Sequence, residues 1–140
     1  MPLFADLAAM QARFEERDLV QLTDEAGAGE IDAATVNSRL VSADALITSY
    51  VAARHKDVPA LAGHPLLTDI ACDYAFSLLW RSDMPDWVKD RRKLAIETLK
   101  NISSGAVKLD QGEETAPPRP GQIHVSGPER RFGRDSLDGY

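Results

Sequence analysis

One cysteine, Cys72, stands in the 140 residues, so no disulfide can close within the chain. Its neighbours, Asp69-Ile70-Ala71 before and Asp73-Tyr74-Ala75-Phe76 after, have a helical pattern. That makes a buried packing thiol the expectation, and a reducing, intracellular site of synthesis suits it. Long apolar runs are missing as well. None approaches the roughly 20 residues that a membrane-spanning helix needs, and no basic stretch followed by an apolar one opens the chain as a signal peptide does. No membrane partner is expected. Positive charge is in short supply, with 16 Lys and Arg against 22 Asp and Glu and a net charge of −6. General binding to a phosphate backbone relies on a basic surface, so nucleic acid is a poor default partner.

The residue patterns that carry catalysis are also lacking. His55, His64 and His124 share no metal-ligand spacing and none sits beside a Cys motif; His64, just before Pro65, reads as a helix cap. No serine lies in a nucleophile elbow, and Gly27-Ala28-Gly29 is too short and wrongly placed for a phosphate-binding loop. The pairs Glu15/Glu16 and Glu113/Glu114 fall in polar segments, where solvation leaves their acidity ordinary. The reading is a protein that is not an enzyme and needs no metal or cofactor. One loop invites a calcium site, because Asp24, Gly29, Ile31 and Asp32 match positions of an EF-hand loop. Ala26, Ala28 and Thr35 stand where further oxygen ligands are required, so a helix-helix turn capped by Asp32 is expected there instead.

What is present suffices for one globular domain: 44% hydrophobic and 27% charged residues give a single apolar core. Leu7, Met10 and Phe14 recur at helical spacing over 6–14, and Leu19, Val20 and Leu22 mark a short second helix over 16–22. Asp32 then caps a long helix over about 33–54, with Val36, Leu40, Ala43, Ile47, Tyr50, Val51 and Arg54 on one face. Pro59 and Gly63 interrupt, and Pro65 opens a helix over about 65–81 that is apolar almost all round, from Leu66 and Leu67 through Phe76 to Trp80. That one is expected at the centre. Pro85 restarts helix, with Trp87, Leu94, Ala95, Thr98, Leu99 and Ile102 assigned to its inner face until Gly105 ends it. Tyr74, Phe76, Trp80 and Trp87 read as core packing. The expected fold class is all-α, a small helical bundle of about five helices, spanning 1–109.

From Asp110 the character changes, since Gly112, Pro117, Pro118, Pro120 and Gly121 punctuate a stretch almost without apolar residues. Such a segment cannot fold alone. The last dozen residues regain Phe132, Leu137 and Tyr140 among Arg130, Arg131 and Arg134, the composition of a docking peptide. Residues 110–140 are therefore read as a Pro/Gly-rich linker and a C-terminal docking peptide. In the body the one dense basic run is Lys89-Asp90-Arg91-Arg92-Lys93, which on a helix splays over more than half the circumference. It is read first as a solvated face, with Lys89, Arg92 and Lys93 as a secondary contact face for an acidic protein surface or for passing DNA.

The order of features is itself informative. Asp6-Leu7, Arg13-Phe14, Leu19-Val20-Gln21-Leu22-Thr23-Asp24, Gly27-Ala28-Gly29-Glu30-Ile31-Asp32 and Ala52-Ala53-Arg54 are followed by Leu66-Leu67-Thr68-Asp69-Ile70-Ala71-Cys72-Asp73-Tyr74-Ala75. Ile102-Ser103-Ser104-Gly105-Ala106-Val107-Lys108-Leu109 and Arg131-Phe132-Gly133-Arg134-Asp135-Ser136-Leu137 complete the set. The chain resembles the small virion proteins encoded in Mu-like phages and prophages beside the major capsid gene. The resemblance implies a head-tail connector of the adaptor type, a homo-oligomeric ring, twelvefold by analogy, under the portal protein. It implies a C-terminal segment sent to the portal or a neighbouring subunit and a stopper or other neck or tail protein received below. DNA is then only cargo in the channel, and the location is the virion neck, reached by assembly in the host cytoplasm. On that reading Phe132, Leu137 and Tyr140 anchor the tail, while Arg130, Arg131 and Arg134 pair with acidic or carbonyl groups of the partner. The alternatives are a head-completion or tail-terminator factor, and a small helical DNA-binding regulator.

Overall fold

The computed structural model describes residues 2–109. Helices α1 (Leu7–Arg13), α2 (Glu16–Thr23), α3 (Ala33–Val51), α4 (Pro65–Leu79) and α5 (Asp86–Ser104) follow one another, with a short 3-10 turn at Val58–Leu61 between α3 and α4. No strand occurs among the described residues, and the fold is all-α as the periodicity predicts. No helix among them is long and apolar enough to cross a membrane.

Local chemistry sets the helix starts. The Asp6 carboxylate accepts the N–H of Ala9, and Asp32 accepts the N–H of Ala34 and the Thr35 hydroxyl, each satisfying a donor that the first turn leaves free. The Thr35 hydroxyl, with the backbone N–H groups of Thr35 and Ala34, holds the Asp32 carboxyl below its ordinary range. At α4, His64 Nδ1 accepts the N–H of Leu66 and Pro65 occupies the first helical position, as the sequence suggests. The ends are equally local. Gly105 takes a left-handed φ of 85° and closes α5.

α4 packs against both α3 and α5, and α1 lies across α3 and α4. Its Leu67, Ile70, Ala71, Cys72, Ala75, Phe76, Ser77 and Leu79 are all buried, which is why its sequence is apolar on nearly every side. α3 contributes Val36, Leu40, Ala43, Ile47 and Val51 from one stripe. α5 contributes a narrower one of Val88, Ala95, Leu99 and Ile102. Here two expectations fail. Trp87 is 46% exposed and Leu94 63% exposed, because each sits about 100° around the helix from a core residue, Val88 and Ala95, that already fills the seam with α4.

α3 also ends earlier than its pattern suggests. The N–H groups of Arg54 and His55 both turn back to the Val51 carbonyl, so Arg54 leaves the apolar stripe altogether. Its guanidinium instead donates from Nε to the Ser103 carbonyl at 3.1 Å and from Nη2 to the Ser104 carbonyl at 2.6 Å. These are among the carbonyls a helix C-terminus leaves without partners. A side chain from the end of α3 thereby caps α5.

The N-terminal arm is strapped on by polar groups. Phe4 is buried, its carbonyl accepts the Thr68 hydroxyl at 2.8 Å, and its N–H and that of Leu3 both donate to the carboxylate of Asp44 on α3. Burial pushes the Asp44 carboxyl up, against the opposing pull of those two N–H groups.

Candidate functional site

α5 carries the chemistry of the surface. Its outer side follows from helical spacing: with Val88, Ala95, Leu99 and Ile102 facing α4, Arg92 and Ile96 fall on one shoulder and Lys89, Lys93 and Lys100 beyond them. These five residues, together with Glu97 and Met84 from the preceding turn, line an open groove of about 790 Å³. Met84 and Ile96 are half-buried in it, giving an apolar strip between cations. The Arg92 guanidinium lies 5.4 Å from the centre of the Tyr74 ring, a cation-π contact that holds this charge against the α4 side. Lys89 has a loose pair with Asp86 at 3.9 Å, on two exposed side chains where such a pair contributes little. Among the described residues no salt bridge involves Lys93 or Lys100.

The structure thus brings Lys89, Arg92 and Lys93 together and separates them from the other two members of the basic run. Arg91 turns to the opposite shoulder, 5.4 Å from the Trp87 ring, 5.8 Å from the Phe14 ring and 3.5 Å from the Asp73 carboxylate. Its role is to tie α5 to α1 and α4. Arg13 of α1 completes this tie: Nε and Nη2 each donate to one oxygen of Asp73 at 3.0 Å, and Nη1 reaches Asp69 at 2.7 Å. Burial works against the charge of Arg13, but the two carboxylates outweigh it and its pKa is raised. Sequence reasoning missed Lys100, Met84 and Ile96. The signal for them was the continuation of the Lys93 face at i+3 and i+7, read together with the last residue before Pro85.

A second groove, of about 730 Å³, opens elsewhere on the body, between α1 and α3. Pro2, Leu7, Ala8, Ala34, Asn37, Ser38 and Val41 line it together with Asp6, and Val41 is 48% exposed. It differs from the α5 groove in charge: its lining holds no cation and one carboxylate, Asp6, where the other is ringed by cations.

The loop 24–32 is a self-contained turn. The Asp24 carboxylate accepts the N–H of Ala28 at 3.0 Å and of Gly29 at 2.7 Å. Thr23 buries its hydroxyl at the base, donating to the Leu19 carbonyl and accepting the N–H of Asp32. Both Asp24 oxygens thus accept backbone N–H groups, and the Asp32 oxygens accept the Ala34 N–H and the Thr35 hydroxyl. Cys72 is 1% exposed and its thiol is pushed up to about 11 by burial, as befits a packing group. Phe14 and Phe76 stack at 4.0 Å, with Trp80 and Trp87 against Phe76 at 6.3 and 5.7 Å, so the aromatic residues close the α1–α4–α5 junction. His64 caps α4, His55 is buried, and His124 lies outside the described residues, as do Arg130, Arg131, Phe132, Arg134, Leu137 and Tyr140.

A search of curated proteins finds no match to this chain. A family profile described as Bacteriophage Mu, Gp36 matches residues 4–126, which takes in the whole helical body and runs past Leu109 into the Pro/Gly-rich stretch. Over that span the chain belongs to the bacteriophage Mu Gp36 family, and it is a Mu-like phage protein.

Proposed function

We propose that this chain is a structural protein of the phage particle, a head-tail connector of the adaptor type that acts by assembly and not by catalysis. Its subunits form a ring, twelvefold to follow the portal protein, and each docks its C-terminal peptide on a neighbouring subunit or on the portal. A stopper or another neck or tail protein meets the ring from below, DNA passes only as cargo, and the site of action is the neck of the virion. The observation that supports this reading is the pair of unlike grooves, one cationic on α5 and one small-residue between α1 and α3. A closed ring requires two different surfaces on each subunit, because a head-to-tail contact never pairs a patch with itself. Family membership supplies the phage context. The peptide 128–140 then acts by tethering: a weak contact becomes effective once the body holds it nearby.

The test is complementation of a phage lacking this protein. A chain truncated after Leu109, checked for helix content by circular dichroism, is expected to leave filled heads unjoined to tails. Normal joining by the truncated chain removes the role given to the C-terminal peptide. A reconstruction of the particle neck that places the protein at the tail terminus instead overturns the adaptor assignment.

A further inference from the structure

The α5 groove gathers four cations on an acidic chain, and helix packing does not explain it. Lys89, Arg92, Lys93 and Lys100 gather around the half-buried Met84 and Ile96, with Glu97 the one acidic lining residue. A strip of apolar side chains between cations fits a peptide that carries carboxylates and compact apolar residues. It fits DNA poorly, since a duplex backbone offers nothing for Met84 and Ile96 and is repelled by Glu97 and by the net charge of −6.

The sequence directly after the body has that composition. Asp110, Glu113 and Glu114 come with no Lys or Arg before Arg119, and Pro117-Pro118 follow. We infer that the chain's own segment Asp110–Pro118 docks in the α5 groove, its carboxylates on Lys93, Lys100 and Arg92 and its prolines against Met84. The reach is sufficient. From Lys100 back to Met84 the groove runs about 24 Å at the rise of a helix, and nine extended residues span about 30 Å. The chain enters from the right end, because Leu109, buried at the foot of α5, immediately precedes Asp110. Tethering raises the local concentration of the segment to about the millimolar range, so a contact of only millimolar strength, shared between the ion pairs and the apolar packing on Met84 and Ile96, favours the docked form. Docked this way, the segment delivers Arg119 and all that follows to the Met84 end of α5, which fixes where the peptide 128–140 departs. In the ring proposed above, the α5 side of each subunit then presents the docked segment and not a bare groove; the inference itself is tested on the isolated chain.

The test is zero-length carbodiimide crosslinking of the dilute full-length protein, prepared as an equal mixture of 14N- and 15N-labelled chains and mapped by mass spectrometry. Crosslinks from Lys93 or Lys100 to Asp110, Glu113 or Glu114 within single-isotope pairs are expected. They should fall to background in Lys93→Glu/Lys100→Glu and return when Glu113→Lys/Glu114→Lys is added to that variant. Mixed-isotope pairs transfer the groove to a second copy and overturn the inference. So does the absence of these crosslinks while the Lys89–Asp86 crosslink forms, or Lys93- and Lys100-dependent, salt-sensitive retention of a DNA duplex. Head-tail joining is scored separately, so either idea can fail alone.

Discussion

α4 and α5 lie side by side and share one seam, yet they treat their remaining surface in opposite ways. α4 buries residues on nearly all sides, from Leu67 to Leu79, and pays out almost nothing to solvent. α5 commits Val88, Ala95, Leu99 and Ile102 to the core and leaves Trp87, Leu94 and a cationic shoulder outside. The lesson is a division of labour: α4 holds the fold together, and α5 both completes it and leaves a cationic groove on the surface.

That contrast can be broken most forcefully at Phe76. It is 1% exposed and carries the rings of Phe14, Trp80 and Trp87 around it. Phe76→Ala is expected to cost about 3–5 kcal/mol, read from urea unfolding. A loss under about 1 kcal/mol would mean that α4 is not the centre of the core. Next comes Cys72, whose thiol rises from 9.0 to about 11 on burial. A group with a raised folded pKa stabilises fully below its unfolded value and loses that contribution as pH climbs towards the folded one. Between about pH 9 and 11, stability should therefore decline by on the order of 2 kcal/mol from this group. The decline should be shallower by that amount in Cys72→Ala, measured by unfolding at pH 8 and 10.5.

On α5 the expected effects shrink. Gly105→Ala forces a left-handed conformation on a residue with a side chain, and its Cβ would lie 2.5 Å from Arg54 Nη2. The guanidinium can swing away but then releases the Ser103 and Ser104 carbonyls, so a loss of about 1–2 kcal/mol in thermal or urea unfolding is expected. Smallest of all, Leu94→Ser should change stability by no more than about 0.5 kcal/mol, because the side chain already faces water. A larger loss at Leu94 would place it in the core after all and erase the difference between the two helices.

The same contrast explains what could be read without the structure. α4 was legible because a helix apolar on every side has one destination, and His64-Pro65 marks its start in the covalent sequence. α5 was legible only as a helix. Its apolar residues occupy two shoulders, and nothing local tells Val88 from Trp87 or Ala95 from Leu94; the decision belongs to the shape of α4. Contacts between distant residues were silent altogether. Asp44 reads as an ordinary polar position until Leu3 and Phe4 return to it from 41 and 40 residues away, and Arg54 reads as a member of the α3 stripe until the end of α5 arrives. Of the surface groove, Lys89, Arg92 and Lys93 were visible as a charge run, whereas Met84 and Lys100 join them only after the turn at Pro85 is folded.

The Arg54 clamp has a mechanical meaning. A pull on anything attached beyond Leu109 meets that buried leucine first and then the last turn of α5, whose carbonyls lack successors in the helix. There the two guanidinium bonds pass the tension sideways into the base of α3. The final turn frays only once these two bonds break, so the body resists being unravelled from its own tail by that margin.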